Sequence, residues 1–124
     1  MSPRLLVLDD DTAILALLRS YFAGLGWRVD VCADASGGLE LLESHSFDAV
    51  ICDLHLGPGS KGEGIDVISR MRQRRADAAV LLFTAAFGEG VRVAALRAGA
   101  DDVIGKPAPL ARLRDAALRA MKKQ

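Results

Sequence analysis

The sequence is poor in aromatic residues and cysteine, and neither sign of charge is in excess. Aromatic residues make up 5% of the 124 residues, so the core must be built mainly from Leu, Val, Ile and Ala. The two cysteines, Cys32 and Cys52, lie in separate apolar runs without metal-ligand or C-x-x-C spacing. This pattern argues against a disulfide framework and predicts buried free thiols in a reducing compartment.

The charge balance and the short apolar runs argue against two further classes of protein. The 16 basic and 16 acidic residues give a formal net charge of zero, whereas general binding to nucleic acid or membranes needs a basic surplus. The longest mostly apolar stretch, residues 78–87, is about half a membrane span, and no signal-peptide pattern opens the chain. We expect a cytoplasmic protein with no nucleic-acid or membrane partner. Its length predicts one domain over residues 1–124, with no output domain.

The chain does contain short apolar runs that alternate five times with helical patterns. The predicted strands are residues 5–8, 28–32, 49–52, 80–83 and 103–104. Strands without polar alternation are typical of a parallel sheet that is covered on both faces. Because crossovers between parallel strands are right-handed, the pattern predicts a doubly wound α/β fold.

Two of the helices give specific expectations about their caps and buried faces. Asp11 or Thr12 is expected to cap the first helix, and Ser36 the second. Apolar residues at i, i+4, i+7 and i+11 predict the buried face of the first helix. The residues of this face are Ile14, Leu18, Tyr21 and Leu25.

Polar side chains stand at or next to the ends of four of the five predicted strands. They are Asp9 and Asp10 after the first strand, Asp53 after the third, Thr84 after the fourth and Lys106 after the fifth. In a doubly wound sheet, ligands bind at this carboxyl edge. Carboxylates crowded together raise one another's pKa unless a cation neutralises them. Mg²⁺ is the natural cation, because it is bound by few carboxylates together with water and phosphate oxygens.

This set of residues suits the transfer of a phosphoryl group to a carboxylate. Asp53 would be the nucleophile, because it is already ionised at neutral pH. Mg²⁺ on Asp10 and Asp53 would neutralise the phosphoryl oxygens, while Lys106 and Thr84 would hold the remaining ones. For each residue alone, a helix cap or a local hydrogen bond is the more ordinary explanation. Their convergence on one edge favours a site.

The same residues belong to five short motifs that together resemble a known family. The motifs are LLVLDDD at residues 5–11, DLHL at 53–56, TA at 84–85, GADD at 99–102 and KP at 106–107. In this order they resemble the receiver domain of two-component response regulators, over residues 4–120. The resemblance implies a flavodoxin-like fold with five helices and strand order 2-1-3-4-5. It also implies a cis peptide bond between Lys106 and Pro107.

The resemblance assigns the phosphoacceptor and the metal ligands. It implies Asp53 as the phosphoacceptor, with Asp10 and Asp53 as direct ligands of Mg²⁺, for which Mn²⁺ could substitute. Asp9 would act through a bound water, and the backbone carbonyl of His55 would complete the protein ligands. The domain would be a signalling domain rather than an enzyme, with only self-catalysed phosphoryl transfer and slow autodephosphorylation.

The resemblance also implies phosphoryl contacts and partners. Thr84, Lys106 and the backbone N–H of Ala85 would contact the phosphoryl group, and His55 and Ala86 would tune its hydrolysis. The donor would be a sensor histidine kinase or a histidine phosphotransfer protein. A phosphorylation-dependent dimer or an output partner would use the fourth and fifth helices.

Two departures from the family pattern affect the expected mechanism. Val103 occupies the switch position, where the family usually has the aromatic residue that reports phosphorylation together with Thr84. We therefore expect the response to pass through Thr84 and the helix after it. Gly64 lies eleven residues after Asp53, farther than the corresponding glycine of the family, so the loop at 57–63 is lengthened.

Other functions remain open, although each lacks an expected feature. The stretch GPGSKG at residues 57–62 matches G-x-G-x-x-G, but it follows the wrong strand for a dinucleotide site. A flavodoxin-like cofactor binder would need hydroxyl-rich loops to bind phosphate and aromatic residues to stack on the ring. A phosphatase of the haloacid dehalogenase type would need an acidic residue in place of His55. A receiver-like scaffold that binds partners without phosphorylation stays open because of Val103.

Overall fold

The computed structural model describes residues 2–121, which form ten elements in strict alternation. The strands are β1 Arg4–Leu8, β2 Arg28–Cys32, β3 Ala49–Cys52, β4 Ala79–Thr84 and β5 Asp102–Gly105. The helices are α1 Thr12–Gly24, α2 Ala35–Ser44, α3 Gly64–Arg74, α4 Glu89–Ala98 and α5 Leu110–Met121. Within residues 2–121, no helix is both long and apolar enough to cross a membrane. Met1 and residues 122–124 of the expected domain lie outside the described range.

All five strands are parallel, in the order β2-β1-β3-β4-β5. This confirms the predicted doubly wound sheet, its strand order and its five helices. The register pairs Leu8 with Cys32 on one side and with Cys52 on the other, and it pairs Cys52 with Leu82. The strands therefore end nearly in one row, so the residues that follow them share one edge.

The core has two layers, because successive strand residues point to opposite faces of the sheet. The layer toward α2, α3 and α4 includes the strand residues Leu6, Leu8, Val50, Cys52, Val80 and Leu82. The layer toward α1 and α5 includes Leu5, Val7, Ile51, Leu81, Phe83 and Ile104. Burial on both faces explains why the strands lack polar alternation.

Helix α1 is capped as predicted, and the centre of its buried face is shifted by about one residue from the predicted one. The side chain of Asp11 accepts a hydrogen bond of 2.9 Å from the N–H of Ala13. The buried residues of the helix are Leu15, Leu18 and Phe22. The predicted face is confirmed at Leu18 and in part at Ile14 and Tyr21, which are half-buried and pack against the core, whereas Leu25 is 42% exposed. The fully buried row includes Phe22, whose ring packs on Trp27 with ring centroids 4.9 Å apart.

The second helix starts from a different cap than the sequence indicated. Asp34 adopts an extended backbone conformation, and its side chain accepts a hydrogen bond of 2.6 Å from the N–H of Gly37. Ser36, the predicted cap, lies exposed in the first turn. An aspartate just before the helix satisfies the free amide groups at its start, so the hydroxyl of Ser36 is not needed there.

The two cysteines are free thiols, as expected, but only one is fully buried. Cys52 is buried in the core, whereas Cys32 is half-buried. Leu8 lies between them in the register of the sheet, so they belong to strands that do not pair with each other. Burial raises the pKa of the Cys52 thiol well above its ordinary value, which makes this thiol a core residue rather than a nucleophile.

Candidate functional site

At the carboxyl edge of the sheet, Lys106 bridges two carboxylates. Its Nζ lies 2.6 Å from Oδ2 of Asp9 and 3.0 Å from Oδ2 of Asp53. The backbone N–H of Lys106 donates a hydrogen bond of 3.0 Å to the carbonyl of Thr84, which continues the pairing of β4 and β5 beyond the strands. This pairing brings the lysine within reach of residues that follow β1 and β3.

The second oxygen of each bridged carboxylate accepts a backbone hydrogen bond. Oδ1 of Asp9 accepts from the N–H of Asp11 at 2.9 Å, and Oδ1 of Asp53 accepts from the N–H of Leu54 at 2.7 Å. Asp9 is 2% exposed, and the side chains of Asp53 and Lys106 are 12% and 17% exposed. The carboxylates are thus held in place by the backbone on one side and by the ammonium group on the other.

Burial and ion pairing act in opposite directions on the pKa values of this pair. Burial raises the pKa of Asp9, and the hydrogen bonds from Lys106 and the Asp11 backbone offset only part of this effect. Burial alone would lower the pKa of Lys106, but its hydrogen bonds to Asp9 and Asp53 outweigh burial and raise the pKa. The lysine therefore stays charged, while a second cation would relieve the buried carboxylate.

Asp10 completes a cluster of three carboxylates that fits a small divalent cation. One oxygen each from Asp9, Asp10 and Asp53 can be chosen so that all three lie within 4.8 Å of one another. Asp10 is exposed, so the cluster is open to solvent on one side. Three carboxylates face one ammonium group, and the excess negative charge is carried by hard oxygen ligands. Mg²⁺ and similar cations prefer such a donor set.

Thr84 is buried beside this cluster at the end of β4, and its hydroxyl holds the loop that follows. Thr84 is 1% exposed, and its Oγ1 accepts a hydrogen bond of 3.1 Å from the N–H of Ala86. Ala85 is exposed between them, and Ala86 packs against the core. A displacement of the Thr84 hydroxyl would therefore be transmitted directly to the loop between β4 and α4.

Val103, at the switch position, is fixed in the core. Phe87 lies nearby and was not predicted as a site residue. Val103 is 2% exposed and belongs to the buried cluster that includes Ala95 of α4. Phe87, in the loop after Thr84, is 51% exposed. Its Cγ lies 3.4 Å from where a Cβ on Gly105 would stand, so its ring covers the end of β5. The sequence did contain a signal for Phe87, because it is an aromatic residue three positions after Thr84 in a chain with few aromatics.

The lengthened loop after β3 is hydrogen-bonded around Ser60, another residue that the sequence analysis did not single out. The Ser60 hydroxyl lies 3.1 Å from Nδ1 of His55, whose side chain is exposed. At the end of the loop, Gly64 donates a hydrogen bond of 2.9 Å to the carbonyl of Leu54. A Cβ on Gly64 would stand 2.1 Å from the carbonyl oxygen of Asp53, so only glycine permits this close approach to the site.

Comparison with known sequences finds similarity along nearly the whole chain. The family described as "Response regulator receiver domain" matches residues 5–118. The transcriptional activator protein PfeR of Pseudomonas aeruginosa is 38% identical over 112 residues, which are 90% of this chain and 35% of that protein. The response regulator MprA of Mycobacterium ulcerans is 35% identical over 113 residues, 91% of this chain and 47% of that protein. The chain thus spans between a third and a half of these relatives.

Comparison with solved structures finds the same architecture. A response regulator from Burkholderia pseudomallei, solved with a phosphorylated aspartic acid, calcium ion and citrate, has a TM-score of 0.87 and 27% identity. The match covers 99% of this chain and 71% of that one. A CheY-like receiver domain protein from Methanospirillum hungatei has a TM-score of 0.87 and 26% identity, with full coverage of both chains.

Proposed function

Because this chain belongs to the response regulator receiver domain family of two-component signalling, we propose that Asp53 is its phosphoacceptor. The phosphoryl group would come from a phosphohistidine on a sensor histidine kinase or a histidine phosphotransfer protein. The observation that carries the proposal is the contact of Lys106 with Asp53 and Asp9, next to the third carboxylate of Asp10. The phosphorylated aspartic acid in the Burkholderia relative supports the same chemistry.

In this proposal a carboxylate oxygen of Asp53 attacks phosphorus while the P–N bond to the donor imidazole breaks. The bonding electrons leave with the imidazole nitrogen, which takes a proton from water, and Asp53 becomes an acyl phosphate. Lys106, which already contacts Oδ2 of Asp53, would exchange this contact for a phosphoryl oxygen and keep Asp9. Because the nucleophile is a carboxylate paired with Lys106, the step needs no general base.

The acidic cluster supports a metal requirement for this step. Mg²⁺, or Mn²⁺ in its place, would neutralise charge on the transferring group when bound. Asp10, Asp53 and the backbone carbonyl of His55 would hold the cation directly, and Asp9 would hold it through a water molecule. The oxygen spacing in the cluster supports this assignment, and the calcium ion in the Burkholderia structure is consistent with a divalent cation.

The response to phosphorylation would pass from Thr84 into the loop before α4. Thr84 and the N–H of Ala85 would turn to the phosphoryl oxygens, so the Thr84 hydroxyl would release the N–H of Ala86. The segment so released carries Phe87 and leads into α4, where an output partner or a second copy would bind with α5. His55 and Ala86 would set the rate at which water removes the phosphoryl group.

A receiver-like scaffold that binds partners without phosphorylation is the second candidate, favoured by the buried Val103 at the switch position. We further propose that residues 1–124 form a single receiver unit, which corresponds to one part of the longer curated relatives.

Phosphorylation is tested by incubating the protein with Mg²⁺ and acetyl phosphate and measuring the intact mass. We expect the wild-type protein to gain one phosphoryl group, and the gain to disappear with EDTA or in Asp53→Asn. Asp66→Asn, which alters an exposed aspartate of α3, is the matched control and should label normally. No gain in the wild-type protein would refute Asp53 as the phosphoacceptor and favour the scaffold. Equal labelling of Asp53→Asn would also refute Asp53, because another residue would then accept the phosphoryl group.

A further inference from the structure

The lengthened loop at residues 57–63 bears on the metal site through one hydroxyl group. We propose that Ser60 is a positioning residue, which orients the backbone carbonyl of His55 by fixing the peptide between His55 and Leu56. The inference rests on the proposed function, in which that carbonyl is a ligand of Mg²⁺. A backbone ligand cannot be removed by replacing its own side chain, so the groups that hold its peptide determine whether it is presented correctly.

The Ser60 hydroxyl acts as a hydrogen-bond acceptor toward the peptide between His55 and Leu56. Its single hydrogen is donated to Oε1 of Glu63, and hydrogen bonding from Ser60 is the main cause that lowers the pKa of Glu63. Glu63 is therefore a carboxylate at neutral pH, and it accepts the hydrogen bond from the Ser60 hydroxyl. The oxygen of Ser60 then accepts from the N–H groups of Leu56 at 3.3 Å and Gly62 at 3.2 Å.

The direction of the Leu56 N–H fixes the direction of the His55 carbonyl. In a trans peptide the N–H and the C=O lie in one plane and point in opposite directions. Because the Leu56 N–H points at Ser60, the His55 carbonyl points away from the loop. The leucines on both sides of His55 are anchored in the core, since Leu54 and Leu56 are 8% and 6% exposed. These two leucines still allow the peptide between His55 and Leu56 to rotate about its flanking bonds. The contact with the Ser60 hydroxyl restrains this rotation.

The glycines of the loop shape it so that Ser60 returns over Leu56. Gly57 and Gly59 have φ angles of 114° and 70°, which residues with a Cβ rarely adopt. The N–H of Ser60 donates a hydrogen bond of 3.2 Å to the carbonyl of Gly57 and closes the turn. The additional residues therefore build a compact turn whose serine reaches the peptide between His55 and Leu56.

The test compares Mg²⁺ binding by the wild-type protein, Ser60→Ala and Ser60→Thr, measured by calorimetric titration without any phosphodonor. One neutral hydrogen bond sets the scale, so we expect Ser60→Ala to bind Mg²⁺ roughly two- to tenfold more weakly. Ser60→Thr keeps the hydroxyl and should bind like the wild type. Ser20→Ala, which alters an exposed serine on α1, is the matched control and should also bind normally.

A second readout follows the peptide itself. The amide nitrogen of Leu56 shares its peptide with the His55 carbonyl, so coordination of that carbonyl polarises the nitrogen. In ¹⁵N-edited NMR spectra, we expect saturating Mg²⁺ to shift the Leu56 signal in the wild-type protein and in Ser60→Thr. The shift should be reduced in Ser60→Ala, and a purely structural role of Ser60 in the loop would not produce this difference.

The outcomes separate this inference from the function on which it rests. Wild-type affinity and an unchanged Leu56 shift in Ser60→Ala would overturn the role of Ser60 and leave the phosphoacceptor assignment standing. Equal weakening in Ser60→Thr and Ser60→Ala would also overturn it, because the hydroxyl would then not be the determinant. If the wild-type protein bound no Mg²⁺ at all, the metal-dependent function would fail and the inference with it.

Discussion

Replacing Lys106 by alanine would remove the ammonium group that bridges the carboxylates of Asp9 and Asp53. The ammonium group lies 2.6 Å and 3.0 Å from their oxygens. Without it, three carboxylates would face one another at the sheet edge, and the most buried of them, Asp9, would have no cationic partner. We expect Lys106→Ala to destabilise the metal-free protein and to make its stability depend strongly on Mg²⁺.

The size of the effect follows from the burial of the three side chains. Removing one partner of a buried ion pair costs about 3–5 kcal/mol, because the remaining charge is left unpaired. Asp53 and Asp10 keep access to water at the rim of the cluster, so we expect the lower end, about 3 kcal/mol. Protonation of Asp9, whose pKa burial already raises, would avoid part of this cost, so the loss should become smaller as the pH falls. Saturating Mg²⁺ should return most of the lost stability by replacing the missing positive charge.

Urea unfolding in EDTA and in excess Mg²⁺ measures both parts of this prediction. Lys61→Ala removes an exposed lysine of the loop and serves as the control, with unchanged stability in both conditions. The double variant Lys106→Ala, Asp9→Asn removes the unpaired buried charge as well, so it should be more stable than Lys106→Ala alone in EDTA. The difference between the single and double variants isolates the contribution of the carboxylate.

Two results would refute the reasoning. If Lys106→Ala were as stable as the wild type in EDTA, the lysine would not neutralise the cluster. If Mg²⁺ stabilised both proteins equally, the cation and the ammonium group would not act on the same carboxylates. Either result would remove the electrostatic basis on which a metal site was assigned to this edge.

Three further predictions test the site, the ion pairs and the core. Gly64→Ala should lower stability by about 2 kcal/mol or more and impair Mg²⁺ binding, because its Cβ would stand 2.1 Å from the Asp53 carbonyl oxygen; normal binding in a titration would contradict this. Burial would raise the pKa of Asp48, but hydrogen bonds from the backbone and an arginine outweigh it and lower the pKa. The stabilisation is therefore present above the ordinary pKa and lost as pH falls through the lowered value, so Asp48→Asn should cost more in urea unfolding at pH 7 than at pH 3. Leu18→Ala should cost about 2–5 kcal/mol, whereas Leu17→Ala, at a 50% exposed position, should cost little; equal losses would contradict the observed face of α1.

The sequence predicted the sheet well because the strands are buried on both faces. Residues 49–52, for example, form an unbroken apolar run and are all buried in the structure, and such a run between helices has few other solutions. The face of α1 was not predictable in the same way. The buried residues Leu15 and Phe22 lie beside the predicted Ile14 and Tyr21, and because both pairs are large and apolar, periodicity alone does not decide which pair is fully buried. Helical periodicity indicates that a buried face exists, and tertiary packing decides which one it is.

The edge of the sheet was predictable at the level of backbone position but not of side-chain contact. Strand ends are fixed by register, so the sequence correctly placed Asp9, Asp53 and Lys106 near one another. It did not predict that one ammonium group would contact both carboxylates, because strand register fixes the backbone and leaves the side-chain rotamers undetermined. The hydroxyl of Ser60 was missed for a different reason. The loop was recognised only by its glycines, whereas its fold depends on φ angles that no periodicity encodes.

The placement of aromatic residues limits how phosphorylation of this chain could be transmitted. Val103 is packed in the core beside α4, and a buried branched side chain cannot turn outward without leaving a cavity. The loop after Thr84 has no such constraint, because Phe87 is half exposed and lies over Gly105, which has no side chain to obstruct it. The hydroxyl of Thr84 holds this loop by a single hydrogen bond to Ala86, which costs far less to break than a repacking of the core. A response that starts at Thr84 would therefore move the loop and its phenylalanine before it moved β5.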